Sequence, residues 1–327
     1  MGKKSSIIPA KEHHILQDYA QSANALFHFM KQIEYLESAL LNCALIPRYC
    51  LEDIRYLNLK ISDNPFNEIA VLQKCFCDIP LHKIATNVEM ALTDDSAKKL
   101  KKYKLKNFSL GNSHLDCYGP FAIAFSKMWC ERHDLQPVHY LNEDSNYTNN
   151  LKSLITKLLN DDNLPDEFAI DILQRLALIK PLRGKMKRQV YINNENLEIE
   201  VLKNFHDEQE WRFIPDLTRI AKPNITSDFQ LIIANPKLLE LQLEPTLRFI
   251  DGQSNELKDS KFHDLWINFT YNDIRYLIVP DKQSRIDIIN YILNLPNINF
   301  VTTDNIQMQK EILVSKILVL SEIREDW

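Results

Sequence analysis

Glycine is unusually scarce in this chain. There are five (Gly2, Gly111, Gly119, Gly184 and Gly252) in 327 residues, where ordinary usage of about 7% would supply roughly 23. No two stand close enough to form a GxGxxG turn or a Walker loop, so Rossmann dehydrogenases, P-loop NTPases and protein kinases fall away. Nowhere do about 18 apolar residues run together, which excludes a membrane-spanning helix. The opening MGKKSSIIPAKEHH lacks the apolar stretch of a secretory signal, so a cytoplasmic location and no membrane partner are expected. In that reducing setting the six cysteines are expected to be free thiols. A net charge of −5 gives no global attraction to nucleic acid or anionic lipid; only local patches could supply one.

What is present reads as an ordinary globular core, with 45% hydrophobic and 25% charged residues. The run 25–30 (ALFHFM) predicts a buried strand, and Ile33, Leu36, Leu40 and Leu41 recur at helical spacing before Pro47. Further strands are predicted over 71–79, 121–125, 137–141, 230–234, 247–250, 275–279 and 316–320. Residues 190–202 alternate as a strand does, and Trp211 and Phe213 lie on another. Helical stripes appear at Leu151, Leu154, Ile155, Leu158 and Leu159, at Phe168, Ile172, Leu173 and Leu176, and over 284–295. Strands and helices mix without strict alternation, which predicts an α+β fold.

Two basic clusters interrupt this pattern, one over 98–106 that includes Lys99 and Lys102, and one over 180–188 that includes Lys185 and Arg188. Each is either a solvated face or a contact for nucleic-acid phosphates. Glu208-x-Glu210, in FHDEQEWRFIP, would place both carboxylates on one face of a strand. Such a pair binds a cation, grips hydroxyls or repels itself into an altered pKa; an acidic solvent face is the bland alternative. His28, between Phe27 and Phe29, reads as a neutral, hydrogen-bonded histidine. Cys75-x-Cys77 with His82 lacks a second ligand pair at zinc-site spacing, and no metal is expected. Asp78 either caps the turn before Pro80 or meets a substrate.

The order LFHF, CFCDIPL, YGPFAIAFSKMW, PVHYL, EQEWRF, NDIRYLIVP and KILVLSEIRED resembles the AbiGi family of phage abortive-infection proteins over most of the chain, least over 142–200. That family is labelled the antitoxin half of a two-gene defence system. The early strand histidine followed by a helix, with the late strand glutamate, also resembles DarT-like ADP-ribosyltransferases. This second resemblance implies a core of two small packed β-sheets over 25–215. An N-terminal extension at 1–24, a helical insertion at about 142–189 and a C-terminal α/β portion at 216–327 would flank or interrupt it. It also implies NAD as co-substrate. Glu210 would stabilise the oxocarbenium-like ribose and Glu208 would activate an acceptor. His28 would orient the nucleoside from a strand edge, Arg48 would pair with the pyrophosphate, and Tyr49 or Tyr118 would stack on nicotinamide.

Two functions are therefore expected as rivals. One is a toxin that transfers ADP-ribose from NAD to a macromolecule, RNA being favoured over protein by the basic clusters. The other is a non-catalytic antitoxin that binds a partner toxin. The partner is a cognate antitoxin, a cognate toxin or a chaperone accordingly. A third reading, a nuclease-like or metal-dependent enzyme using Glu208, Glu210 and Asp78, predicts loss of activity with chelator.

Overall fold

A computed structural model of the chain describes residues 22–61, 64–86, 90–103, 113–161, 163, 172, 174–192, 195–216, 232–234, 243–300 and 305–326. The chain enters as β1 (Ala25–Met30) and α1 (Ile33–Asn42). α1 buries Leu36, Ala39 and Leu40 and stops where Cys43 takes a left-handed φ of 47°. Next come β2 (Ala44–Leu45), β3 (Arg48–Asp53), β4 (Leu59–Ile61), β5 (Asn64–Phe66) and the long β6 (Glu68–Cys77). β7 (Met90–Leu92), α2 (Asp94–Lys102), α3 (His114–Tyr118), β8 (Phe121–Ser126) and α4 (Lys127–Arg132) follow. The middle of the chain contributes β9 (Gln136–Pro137), β10 (His139–Leu141), α5 (Asn146–Leu159), β11 (Ile179–Pro181), β12 (Arg183–Ile192), β13 (Glu195–Asn204) and β14 (Glu210–Phe213). The remainder holds β15 (Ile232–Ala234), α6 (Leu243–Glu256), β16 (Ile267–Asn268), β17 (Ile274–Val279), α7 (Lys282–Leu293), α8 (Ile306–Ser315), β18 (Ile317–Val319) and α9 (Leu320–Asp326).

Nine strands form the central sheet, in the order β18-β17-β8-β1-β6-β14-β9, with β3 and β15 also paired to β6. β6 is its spine. Its first half runs antiparallel to β3, from Asp53 opposite Glu68 to Arg48 opposite Gln73. Its second half meets β14, with Glu210 opposite Cys77, and β1, with Phe27 opposite Cys77. One face of the sheet carries Leu26, Met30, Phe76, Ile123, Phe125 and Leu277 into the largest apolar cluster. The other carries Phe27, Phe29, Cys77, Ala122 and Ala124 into a second. A separate three-stranded sheet, β12-β13-β7, packs its apolar face around Leu100 of α2.

The α+β class matches this arrangement, but the two small packed sheets expected from the ADP-ribosyltransferase resemblance do not describe it. Among the described residues one nine-stranded sheet dominates, accompanied by a three-stranded and three two-stranded sheets. Residues 190–202, read as one alternating strand, belong to two strands of a hairpin, in which Ile192 lies opposite Glu195. The predicted strand over 247–250 lies inside α6. The start of the predicted strand over 230–234 falls outside the described residues, as do Phe168 and Leu173 of the second helical stripe.

Gly119 holds the joint between α3 and β8. Its φ is +116°, and a Cβ there would stand 2.1 Å from the carbonyl oxygen of Met30, so both backbone angle and space demand glycine. The joint delivers Tyr118 to the site described next.

Candidate functional site

Glu210 opens β14 and shares a sheet face with Cys77, because directly opposed residues in an antiparallel pair project to the same side. Arg212 lies two residues on, so it projects alongside. Its Nε donates to Glu210 Oε1 at 2.8 Å and its NH2 to Oε2 at 3.1 Å, the forked geometry that suits guanidinium to carboxylate. Glu208 is not on the strand. It ends a short 3-10 turn, and Gln209 reverses the backbone with a φ of 42°. The pair of carboxylates is nevertheless reunited, because Lys180 of β11 donates to Glu208 at 2.8 Å and to Glu210 at 2.9 Å.

The contacts extend into a chain of alternating charge. Arg212 also reaches Glu52 of β3 at 3.0 Å, and Lys203 of β13 donates to Glu208 at 2.8 Å. The order Glu52, Arg212, Glu210, Lys180, Glu208, Lys203 is three acids and three bases, with Glu208, Glu210, Lys203 and Arg212 fully buried. Tyr118 closes the far end, its hydroxyl donating to Glu208 and accepting from Lys203 at 2.9 Å. Tyr140 accepts the backbone N–H of Glu210, and Arg212 donates to the carbonyl of Ala177. Every carboxylate oxygen of Glu208 and Glu210 therefore accepts at least one hydrogen bond.

Burial alone would raise both carboxyl pKa values. For Glu208, Lys180 and Lys203 outweigh burial and lower the value to about 2; for Glu210, Arg212 and Lys180 hold it still further below the usual carboxylate range. Both are anions at neutral pH, each already matched to cations. Beside them, His114 Nε2 lies 3.1 Å from Cys77 Sγ. Burial, with Lys203 adding to it, lowers the imidazole to about 4, while burial and the nearby Glu208 push the thiol well up. This neutral pair is not a thiolate–imidazolium nucleophile.

The other residues singled out in the sequence do not join this group. His28 lies on β1 between β6 and β8, in the sheet interior and not at an edge. Phe27 shares a face with Cys77 and Glu210, so His28 projects from the opposite face, where its Nδ1 lies 2.8 Å from the Cys75 carbonyl. Burial, followed by the charge of Lys74, lowers its pKa well below the usual value. Arg48 starts β3 and pairs with Asp251 at 3.1 Å on the surface. Tyr49 is buried against α6, its N–H donating to Ser254 Oγ at 3.1 Å. Asp78 forms a buried ion pair with Lys127; it is one residue on from Cys77 and projects from the face opposite Glu210. His28, Arg48 and Tyr49 thus do not converge with Glu210 on one cleft, and the set does not fit NAD as expected. Nor do Glu208, Glu210 and Asp78 converge on a cation.

Lys99 and Lys102 are exposed on the outer side of α2, and Lys104 and Lys106 lie outside the described residues. Lys185 and Arg188 sit on β12. Lys185 faces Glu200 at 3.6 Å, and Arg188 donates to the carbonyl of Asp116 at 2.9 Å. Lys180, the first of that cluster, is a buried member of the charge chain.

A cleft of about 750 Å³ opens over the charge chain, with Tyr118, Lys180 and Phe205 along one side and Tyr56, Arg55 and Glu143 along another. Glu208 and Glu210 are not among its lining residues. Arg212 and Lys203 carried a legible signal that the sequence reading passed over. An E-x-R on a strand puts both side chains on one face, and Lys203 follows Leu197, Ile199 and Val201 on the inward side of β13.

A family profile described as "Putative abortive phage resistance protein AbiGi, antitoxin" matches residues 103–280. The abortive phage resistance protein AbiGi of Lactococcus lactis subsp. cremoris is 33% identical over 290 residues, which is 87% of this chain and all of that protein. The chain belongs to the AbiGi family. The AbiGi match spans Tyr118, Lys180, Lys203, Glu208, Glu210 and Arg212, so five of the six linked charges fall within it. No solved structure matches the chain. Among the described residues no helix is long and apolar enough to cross a membrane, and no three His, Cys, Asp or Glu side chains group as a metal site.

Proposed function

We propose that the chain is the antitoxin of an abortive-infection pair, acting by holding a partner toxin and not by chemistry of its own. The observation that carries this reading is the closed charge chain. A carboxylate that stabilises a ribosyl cation must present an oxygen to the ribose, whereas Glu210 gives both oxygens to Arg212 and Lys180. The family's description as an antitoxin supports the same reading. What the buried charges do in it is fix one arrangement of β3, β11, β13 and β14, so that the surface around the cleft is rigid.

The test is expression of this gene and its neighbouring partner gene, separately and together. The partner alone should arrest growth, this chain alone should not, and co-expression should restore growth with the two proteins copurifying. Arrest by this chain alone overturns the reading. The rival, ADP-ribosyl transfer from NAD, is read in the same cells' lysate with labelled NAD and purified chain: label on RNA, DNA or protein that is lost in Glu210→Gln would replace the antitoxin reading.

A further inference from the structure

We propose that the outer edge of β12 is where the partner docks, by adding an extended segment that alternates acidic and apolar residues to the sheet β12-β13-β7. The proposal rests on the antitoxin reading and names the surface through which the toxin would be held.

Among the described residues β12 is the end strand of its sheet. Open edges are ordinarily blunted by shortness, by bulges that turn them aside or by charged side chains, lysine above all; β12 has only the last, and its lysines bar a basic strand while admitting an acidic one. β12 is ten residues long, and its register with β13 is unbroken from Arg183 opposite Asn204 to Ile192 opposite Glu195. By contrast β9 and β18, which end the central sheet, have two and three residues, and β3 is backed by α6 through Tyr49 and Ser254.

The two faces of β12 specify what would pair with it. Lys185, Lys187, Gln189 and Tyr191 line the solvent face, Tyr191 at 69% exposure, and the strand holds no acid. The lysines meet Glu200 at 3.6 Å and Glu198 at 4.0 Å on β13, through half-exposed side chains that bind each other weakly. Among the described residues neither lysine forms a second ion pair. Acids on an incoming strand would pair with them from the outer side and complete acid–lysine–acid ladders across three strands. On the other face Met186 and Val190 pack partly into the apolar cluster around Leu100, with Arg188 between them held by the Asp116 carbonyl, and apolar residues of the same incoming strand would extend that cluster beside Met186 and Val190. A second copy of this chain would set lysine against lysine, which disfavours self-pairing. A nucleic-acid backbone supplies no N–H and C=O ladder to an open strand edge and no apolar residue for the Met186 face, which disfavours it.

The probe is a synthetic peptide of β12's length alternating glutamate with valine, titrated against the full chain by fluorescence anisotropy, with hydrogen exchange of the complex followed by mass spectrometry. The expected result is saturable binding with slowed exchange over 183–192. Lys185→Glu with Lys187→Glu should weaken the glutamate peptide by about tenfold or more and gain binding of the matching lysine–valine peptide. That gain shows that the variant is folded. The same double variant should lose neutralisation of the toxin in cells. No binding of the glutamate peptide, equal binding by the variant, or single-stranded RNA competing for the edge would each overturn the proposal. If the wild-type chain rescues growth and the double variant rescues it equally well, the edge fails while the antitoxin reading stands; if the wild-type chain does not rescue, the antitoxin reading itself fails.

Discussion

Glu210 is held by two cations in a buried place, so removing its charge leaves each of them with one acid instead of two. Glu210→Gln leaves the Arg212 guanidinium and the Lys180 ammonium without their shared anion, and breaking a buried pair in this way costs about 3–5 kcal/mol. Urea unfolding followed by circular dichroism should show that loss, whereas Arg48→Gln, at an exposed pair, should move stability by under about 1 kcal/mol. Acid acts through the same residues in two stages. His114, whose pKa burial lowers from 6.5 to about 4, stays neutral while the unfolded chain takes up its proton. Its contribution is therefore present above pH 6.5 and is lost as pH falls toward 4, reaching about 3 kcal/mol. Glu208, lowered to about 2 by Lys180 and Lys203 against burial, contributes above the unfolded carboxylate value near 4.3 and is lost below it. Thermal melts from pH 7 to pH 4 should fall steadily in the wild type and less steeply in His114→Phe, which lacks the first stage; equal slopes would show that His114 is protonated in the folded chain.

The elements respond to backbone more than to charge. Gly119→Ala must place a Cβ against the Met30 carbonyl at a φ of +116°, and should cost about 3 kcal/mol or more while displacing Tyr118 from Glu208. Gly252 is the converse: it lies within α6, and nothing stands within 4 Å of a Cβ built on it. Gly252→Ala should therefore stabilise by about 0.5–1 kcal/mol in the same unfolding assay, the helix being relieved of glycine's backbone entropy. The strand 247–250 shows why this element was misread. Leu247, Phe249 and Ile250 form a short apolar run that fits a strand as well as one turn of a buried helix, and only the longer context from 243 to 256 decides. By contrast β1 was legible to the residue, because ALFHFM is apolar on both faces and flanked by polar residues, as an interior strand must be. The site was legible in Glu208, Glu210, Arg212 and Lys203, which lie within ten residues of one another, and not in Lys180 or Glu52. Those two reach the group only through the placing of β11 and β3, and long-range pairing leaves no local pattern. The side taken by His28 depends in the same way on the register of β1 with β6, which a single sequence does not specify.

At the scale of the whole molecule the question is whether the chain divides near 215, where the sequence suggested a core followed by a C-terminal portion. The sheet answers against separate folding. β17 lies beside β8, with Ile278 opposite Ala122 and Leu277 opposite Ile123, and β18 extends the sheet from β17. The largest apolar cluster joins Leu26, Phe76 and Phe125 from before the boundary to Leu277, Ile288, Ile292 and Leu313 from after it. Cutting at 215 would expose the free edge of β8 and remove one wall of that cluster, a loss of several fully buried side chains at about 1.5–3 kcal/mol each, against a total stability of about 5–15 kcal/mol. Residues 22–215 expressed alone should therefore fail to fold cooperatively, giving no sigmoidal unfolding curve and little near-ultraviolet dichroism, while the full chain should unfold in one transition by far-ultraviolet dichroism and tryptophan fluorescence alike. A soluble 22–215 fragment with its own sharp transition would show instead that β8 tolerates an open edge and that the C-terminal strands dock on a finished core.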